Sequence, residues 1–275
     1  MVKRIIHIAD LHIPNESKNR PFDVMLKTFL KQVRKDTKDF QPEEVRILLI
    51  GDIFDNKIKA TNEAREQFHN TLNYLNQMGV TLIVAGNHDM LQNNRDRMDS
   101  INPTFGIDGA YRNVSYLDRE LGFKSGCVAD DGIVWALYSM HDDFARPDIE
   151  SFKKDNTESV VIGLYHGDVT GAVTDLGRTS ESGIDTDLFN GCDIVMAGHI
   201  HHYQVIRRNG VPIVYSGSVF QKDAGENTTG HGYVVWDIPD MKPVLREVDN
   251  DYRVFRFKAT SYDDIKNDKE ELLNL

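Results

Sequence analysis

Short apolar runs that stop at polar residues recur along the first two hundred positions of this chain. Lys3 to Ala9 alternates around Ile5, Ile6 and Ile8 and stops at Asp10-Leu11-His12, and Arg46 to Ile50 stops at Gly51-Asp52-Ile53-Phe54-Asp55. Val80 to Ala85 stops at Gly86-Asn87-His88-Asp89, Val160 to Tyr165 at His166-Gly167, and Ile194 to Ala197 at Gly198-His199-Ile200-His201. Runs this short and this apolar predict buried strands. Between the first three lie stretches with helical spacing: Phe22, Met25, Leu26, Phe29, Leu30 and Val33 in one, then Ala64, Phe68, Leu72 and Leu75 within Thr61 to Met78. Strand, helix, strand, helix, strand is the pattern of a parallel α/β sheet, where ligands sit off the carboxyl ends of the strands. Every polar cluster falls at such an end.

Further strands are predicted at Val114 to Leu117, Gly126 to Asp130, Gly132 to Tyr138, Tyr203 to Arg208, Val211 to Gly217 and Gly232 to Ile238. Asp131-Gly132 and Asn209-Gly210 are strong hairpin turns. Residues 90–112 are polar and predict surface helix and loop, and residues 170–189 predict a long surface loop. Residues 249–275 open with alternation at Tyr252, Val254, Phe255 and Phe257, then turn charged and helical.

The 275 residues suffice for one large α/β domain, expected over residues 1–248. No apolar run approaches the roughly 18 residues that span a bilayer, and Met1 leads straight into a strand without a signal peptide. The expectation is an intracellular protein with no membrane partner. Cys127 and Cys192 fit no Cys-x-x-Cys pattern, so buried free thiols are expected. A net charge of -11 argues against wrapping nucleic acid unaided, and bound divalent cations would offset part of it locally.

In extended backbone residues two apart face one side, so Asp10 with His12 and His199 with His201 each offer two donors to one small volume. The strand-end set is Asp10, His12, Asp52, Asn87, His166, His199 and His201. Imidazoles, carboxylates and one amide suit Mn, Zn or Fe better than calcium or thiolate-bound ions. Seven donors exceed one tetrahedral site; two metals sharing a carboxylate would use them all. Two metals roughly 3.5 to 4 Å apart can clamp both oxygens of an in-line phosphoryl displacement. Phosphoester hydrolysis is the chemistry such a set predicts.

Asp10-x-His12, Gly51-Asp52-x-x-Asp55, Gly86-Asn87-His88-Asp89, His166-Gly167 and Gly198-His199-x-His201 stand in the order of the calcineurin-like metallophosphoesterases, which the chain resembles. That resemblance implies a four-layer α/β/β/α sandwich with two mixed sheets. It implies one metal on Asp10, His12 and His201, another on Asn87, His166 and His199, and Asp52 between them. Attack would come from a hydroxide between the metals, with His88 as general acid and Asp55 orienting it through its carboxylate. Asn56-Lys57 stands where the protein Ser/Thr phosphatases have Arg-Gly, and the tyrosine ligand of purple acid phosphatases is missing at Asp55. The Gly-Asn-His-Asp form, Tyr215-Ser216-Gly217-Ser218 and Ala224-Gly225-Glu226 resemble the SbcD nucleases, in particular phage recombination endonuclease subunits.

This finer resemblance implies a Mn-dependent exo- or endonuclease of DNA repair or recombination, with Mg, Zn or Fe as other metals. Its implied partners are DNA, an SbcC-type ATPase and a second copy of the chain, joined through Thr61 to Met78 and the stretch after Met90. Its implied location is the cytoplasm, the host's for a phage-encoded chain. Residues 249–275 would begin a truncated or reduced capping segment. Two alternatives stand beside it: a small-molecule phosphodiesterase or nucleotide pyrophosphohydrolase on the same scaffold, and a non-enzymatic dimerising scaffold with a vestigial metal site.

Overall fold

The structure, a computed structural model, describes residues 1–15, 20–106, 111–157, 159–174, 177–208, 210–238 and 240–254. Alternation along β1 (Arg4–Ala9) sets the layering. Ile6 and Ile8 join Ile47 and Leu49 of β2 (Val45–Ile50) under the helices, while Ile5 and Ala9 join Leu48 and Ile50 on the other face. Helix α1 (Arg20–Thr37) lays Phe22, Leu26, Phe29 and Val33 on the first of those faces. Helix α2 (Asn62–Leu75) adds Ala64, Phe68, Leu72 and Leu75, and the Thr61 hydroxyl caps it by accepting from the Ala64 N–H at 3.2 Å.

Strands β1, β2, β3 (Val80–Val84) and β4 (Val114–Tyr116) pair in parallel, as the strand and helix alternation predicts. After a short helix α3 (Leu117–Glu120), β5 (Gly126–Asp130) and β6 (Ile133–Tyr138) form an antiparallel hairpin. Its turn has positive φ at both Asp131 (45°) and Gly132 (91°), as a type I′ turn requires. Helix α4 (Ile149–Asp155) leads into β7 (Val160–His166), followed by β8 (Ile194–Gly198), β9 (Gln204–Arg208), β10 (Val211–Tyr215), β11 (Gly232–Asp237) and β12 (Val244–Glu247). The two six-stranded sheets run β12-β11-β1-β2-β3-β4 and β5-β6-β7-β8-β10-β9. Both mix parallel and antiparallel pairs, giving the α/β sandwich expected.

Trp135, Leu137, Ile162, Leu164, Met196 and Val214 of the second sheet meet the first across a closed core. Beyond the second sheet the outer layer is thin. There α4 and loop residues such as Val169, Ala172 and Phe189 cover the remaining apolar face. A fork from Arg46 on β2 to Asp130 on β5 ties sheet to sheet at 2.6 Å on both arms.

Residues 90–112 depart from the expectation of surface helix. Among the described residues the segment holds one short 3₁₀ turn, Asn102–Phe105, and no α-helix. Nor is it all surface: Asp99 and Ile101 are buried, with the Asp99 carboxylate accepting from the Ile101 and Asn102 N–H groups. A carboxylate that satisfies main-chain donors lets a polar segment fold inward without helical bonds. Phe255 and Phe257 lie outside the described residues, as do Asn209 and the charged end of the chain. No helix among the described residues is long and apolar enough to cross a membrane.

Candidate active site

The carboxyl ends of β1, β2 and β3 in one sheet and of β7 and β8 in the other open onto one place. There the structure brings all seven strand-end donors together. His201, His12 and Asp10 form one group, with His12 Nε2 lying 3.0 Å from His201 Nε2 and His201 Nε2 3.9 Å from Asp10 Oδ1. Asp52, His166 and His199 form the other. Asn87 joins them, its Oδ1 2.8 Å from His199 Nδ1 and 3.3 Å from His166 Nε2. Asp52 stands between the groups, with Oδ1 3.2 Å from His166 Nε2 and Oδ2 3.8 Å from His12 Nε2.

The approach is close enough to explain the motif glycines. A Cβ on Gly51 would stand 2.1 Å from His166 Nδ1, and one on Gly86 would stand 2.3 Å from Asp52 Oδ1. Backbone strain concentrates here as well. Asp10, His12, Asp52 and His199 have positive φ of 52°, 48°, 50° and 100°, a conformation that costs non-glycine residues on the order of 1–3 kcal/mol each. The surrounding main chain holds them there: His199 N–H donates to Asp10, and His88 N–H donates to Asp52 at 2.7 Å.

Hydrogen bonds at the outer ring nitrogens decide which nitrogen faces inward. His166 Nδ1 donates to the Ile50 carbonyl at 2.9 Å, and His201 Nδ1 donates to Glu226 at 2.7 Å, so each turns Nε2 toward the cluster. His201 Nε2 then carries a lone pair. His12 Nε2–H supplies its partner at 3.0 Å, and His12 Nδ1 accepts from Lys222 Nζ at 3.3 Å. A cation between His12 and His201 would need His12 in its other tautomer. The Asp55 carboxylate lies 3.7 Å from His12 Nδ1, just beyond hydrogen-bond distance, and would have to draw closer to accept that proton. The donor set therefore fits two divalent ions: nitrogen and oxygen donors in each group, one shared carboxylate, and no thiolate.

Charge inside the cluster settles on one pair. Burial opposes ionisation of Asp52, yet the adjoining His166 holds its carboxyl well below the usual carboxylate range. Burial likewise opposes charge on His166, but Asp52, Asp10 and the Ile50 carbonyl push it up to about 9. Burial pushes Asp10 up to about 6 and, with His166 adding repulsion, His199 down to about 4. His88 is half-buried and also lowered, chiefly by burial.

His88 borders the cluster, its ring 4.9 Å from that of His12. The expected carboxylate contact to it is replaced: His88 Nδ1 donates to the main-chain carbonyl of Asp55 at 2.6 Å. The Asp55 carboxylate instead receives Lys222 Nζ at 3.0 Å. The tautomer is set either way, with His88 Nε2 left to exchange a proton.

Three residues here carry work that the sequence pattern does not assign. Asp89 is fully buried and accepts from the N–H groups of Ile53, Phe54 and Gly86, binding the loop after β2 to the loop after β3. Burial, then the Asp52 carboxylate, push Asp89 up to about 8 against those donors. Its signal is the last letter of Gly-Asn-His-Asp. Glu226 closes Ala224-Gly225-Glu226 without a role in the pattern, and Lys222 carries no signal at all. Of the histidines outside the motifs, His7 is buried between the sheets with Nε2 3.1 Å from the Ala197 carbonyl. His69 and His231 pair with Tyr111 and Ser218, and His202 is exposed.

Residues 3–203 match the calcineurin-like phosphoesterase family model. The chain is 29% identical over 259 residues to uncharacterized protein R555 of Acanthamoeba polyphaga mimivirus, covering 91% of this chain and 18% of that protein. It is 25% identical over 266 residues to the SbcD component of nuclease SbcCD from Staphylococcus saprophyticus, covering 87% of this chain and 66% of that protein. The chain thus spans about a fifth of one relative's length and just under two thirds of the other's. Among solved structures, GAP50, the anchor in the inner membrane complex of Plasmodium, superposes with a TM-score of 0.52 at 12% identity, covering 94% of this chain and 90% of that one. That likeness is one of fold. A family match over residues 3–203, on two mixed sheets with candidate ligands at their shared carboxyl edge, makes this chain a member of the calcineurin-like phosphoesterase family.

Proposed function

We propose that the chain is a dimetal phosphodiesterase acting as a DNA nuclease of the SbcD type. The observation that carries the reading is Asp52, whose two oxygens face the two donor groups from 3.2 and 3.8 Å. Asp10, His12 and His201 would hold one ion and Asn87, His166 and His199 the other, with Mn the expected metal. Such a pair supplies an activated water and polarises the phosphoryl oxygens when bound. The chain's own groups do the rest. His88, fixed at Nδ1 by the Asp55 carbonyl, presents Nε2 to protonate the leaving oxygen. Asp89 keeps the loops bearing Asp52 and His88 in register.

The nuclease assignment draws its support from the similarity to the staphylococcal SbcCD component; an SbcC-type ATPase and a second copy of the chain are proposed as partners on the same ground. One observation favours a second reading, a small-molecule phosphodiesterase or nucleotide pyrophosphohydrolase: the net charge of -11 weakens any hold on a polyphosphate strand. The test is Mn-dependent cleavage of end-labelled duplex, hairpin and single-stranded DNA beside bis-p-nitrophenyl phosphate, with and without the ATPase. Cleavage of DNA that falls on the order of 10³-fold in His88→Ala, with bound metal retained, is the expected result. Turnover of the small ester alone would move the assignment to the second reading. Full activity in His88→Ala would remove the proposed acid.

A further inference from the structure

A cleft of about 610 Å³ opens beside the candidate metal groups, within the range of ligand sites. His12 belongs to both and its neighbour Asp55 lines the cleft, so a phosphate seated at the cluster adjoins the cleft. At the cluster end Lys222 projects an ammonium 3.0 Å from Asp55 and 3.3 Å from His12 Nδ1. Pro14, Pro21, Phe22, Met25, Phe220 and Tyr252 are also among its lining residues. Asp223, Asp251 and Arg253 line the cleft as well.

The segment that carries Tyr252 is tethered through its main chain. Gln221 clamps the segment with two bonds, Nε2 to the Val254 carbonyl at 2.8 Å and the Val254 N–H to Oε1 at 2.9 Å. The Tyr252 N–H donates to Asn250 Oδ1 at 2.7 Å, and the residue is 38% exposed. A partly exposed tyrosine on a tethered segment, in a cleft that also has apolar side chains and a lysine ammonium beside the cluster, matches how proteins take an unpaired base and its phosphate. Inside a duplex both faces of a base are already covered by its stacked neighbours.

We propose that this cleft is a subsite for one unpaired nucleotide of the strand being cut, with its base on Tyr252 and its phosphate on Lys222. The proposal rests on the phosphodiesterase reading and narrows its substrate to strands with unpaired nucleotides at the cut. The test is binding of a single-stranded hexanucleotide carrying one 2-aminopurine, followed by fluorescence, for the full chain with Mn and with a chelator. Wild-type protein should quench the probe, and the same sequence held in a duplex should not be quenched. Tyr252→Ala should weaken binding about tenfold and lose most of the quench, with Tyr252→Phe restoring it. Lys222→Met should lower the slope of log affinity against log salt by about 0.7, the share of one neutralised phosphate on a single strand.

Wild-type affinity, quench and salt slope in both variants, with melting unchanged, would overturn the subsite. Equal quenching of duplex and single strand would overturn it too. A chain that quenches the probe as described but hydrolyses neither DNA nor bis-p-nitrophenyl phosphate would refute the phosphodiesterase reading and leave the subsite standing.

Discussion

The two candidate cation groups share Asp52 but are held by different kinds of partner. Around Asn87, His166 and His199 the ring partner is main chain, the Ile50 carbonyl at His166, and the side chain that ties the neighbouring loops, Asp89, is fully buried and gathers the N–H groups of Ile53, Phe54 and Gly86. Around Asp10, His12 and His201 the support is side chain: Glu226 fixes His201, and Lys222 and Asp55 border His12, the first two carried on the loop after β10. A carbonyl in a strand cannot be removed by substitution, whereas a loop side chain can be lost or replaced. One group is thus built into the sheets, and the other is open to tuning by a loop that also lines the adjoining cleft.

Removing what the groups share should have the largest effect. Asp52→Asn is expected to cut phosphodiester turnover on the order of 10⁴-fold, the several kcal/mol that a metal pair supplies, measured with bis-p-nitrophenyl phosphate and Mn. It should also lower the bound Mn from two equivalents. Equal loss of metal from both groups would show Asp52 to be structurally shared, and loss from one alone would break the symmetry of the pair.

A smaller effect should separate the groups. Glu226→Ala is expected to weaken one Mn equivalent by about 10- to 100-fold and leave the other unchanged, as loss of a histidine's outer partner does. Titration calorimetry reads both steps. If both shift together, the side-chain-held and main-chain-held groups are not independent.

The smallest effect on the site should come from the far tie between the sheets. Arg46 is buried, and its fork to Asp130 is joined by Trp135 Nε1 at 2.9 Å. Asp130→Ala strands the guanidinium and should cost about 2 kcal/mol of stability, less than for a fully buried pair because Asp130 keeps some solvent. Both Mn steps should remain. Burial raises the Asp130 carboxyl, but the Arg46 and Trp135 bonds outweigh it and the net shift is downward. A lowered folded value gives stability that is full above the unfolded value of about 3.9 and is lost as pH falls through the folded value below it. The wild-type advantage in melting temperature over Asp130→Ala should therefore shrink as pH drops below about 4.

How the site could be read from sequence follows from the same contrast. Asp10, His12, Asp52, Asn87, His166, His199 and His201 were legible because each lies at or just past the end of an apolar run; the extended backbone expected of Asp10, His12 and His199 is replaced by positive φ. The glycines beside them were legible as motif letters, with the reason, contact with His166 and Asp52, visible only in three dimensions. Lys222 and Glu226 were not legible as site residues, since an aperiodic loop returns them across about two hundred positions to His12 and twenty-five to His201. The contact between His88 and the Asp55 carbonyl was not legible, because a motif letter names a side chain and says nothing of its main-chain oxygen. The inward folding of residues 90–112 was hidden for a related reason: Asp99 reads as polar surface until its main-chain donors are seen.

Titration of the metal-free chain with Mn, followed by calorimetry, tests the central claim most directly. Two equivalents per chain are predicted, falling in Asp52→Asn. One equivalent or none in the wild-type protein would contradict a two-ion site built around Asp52.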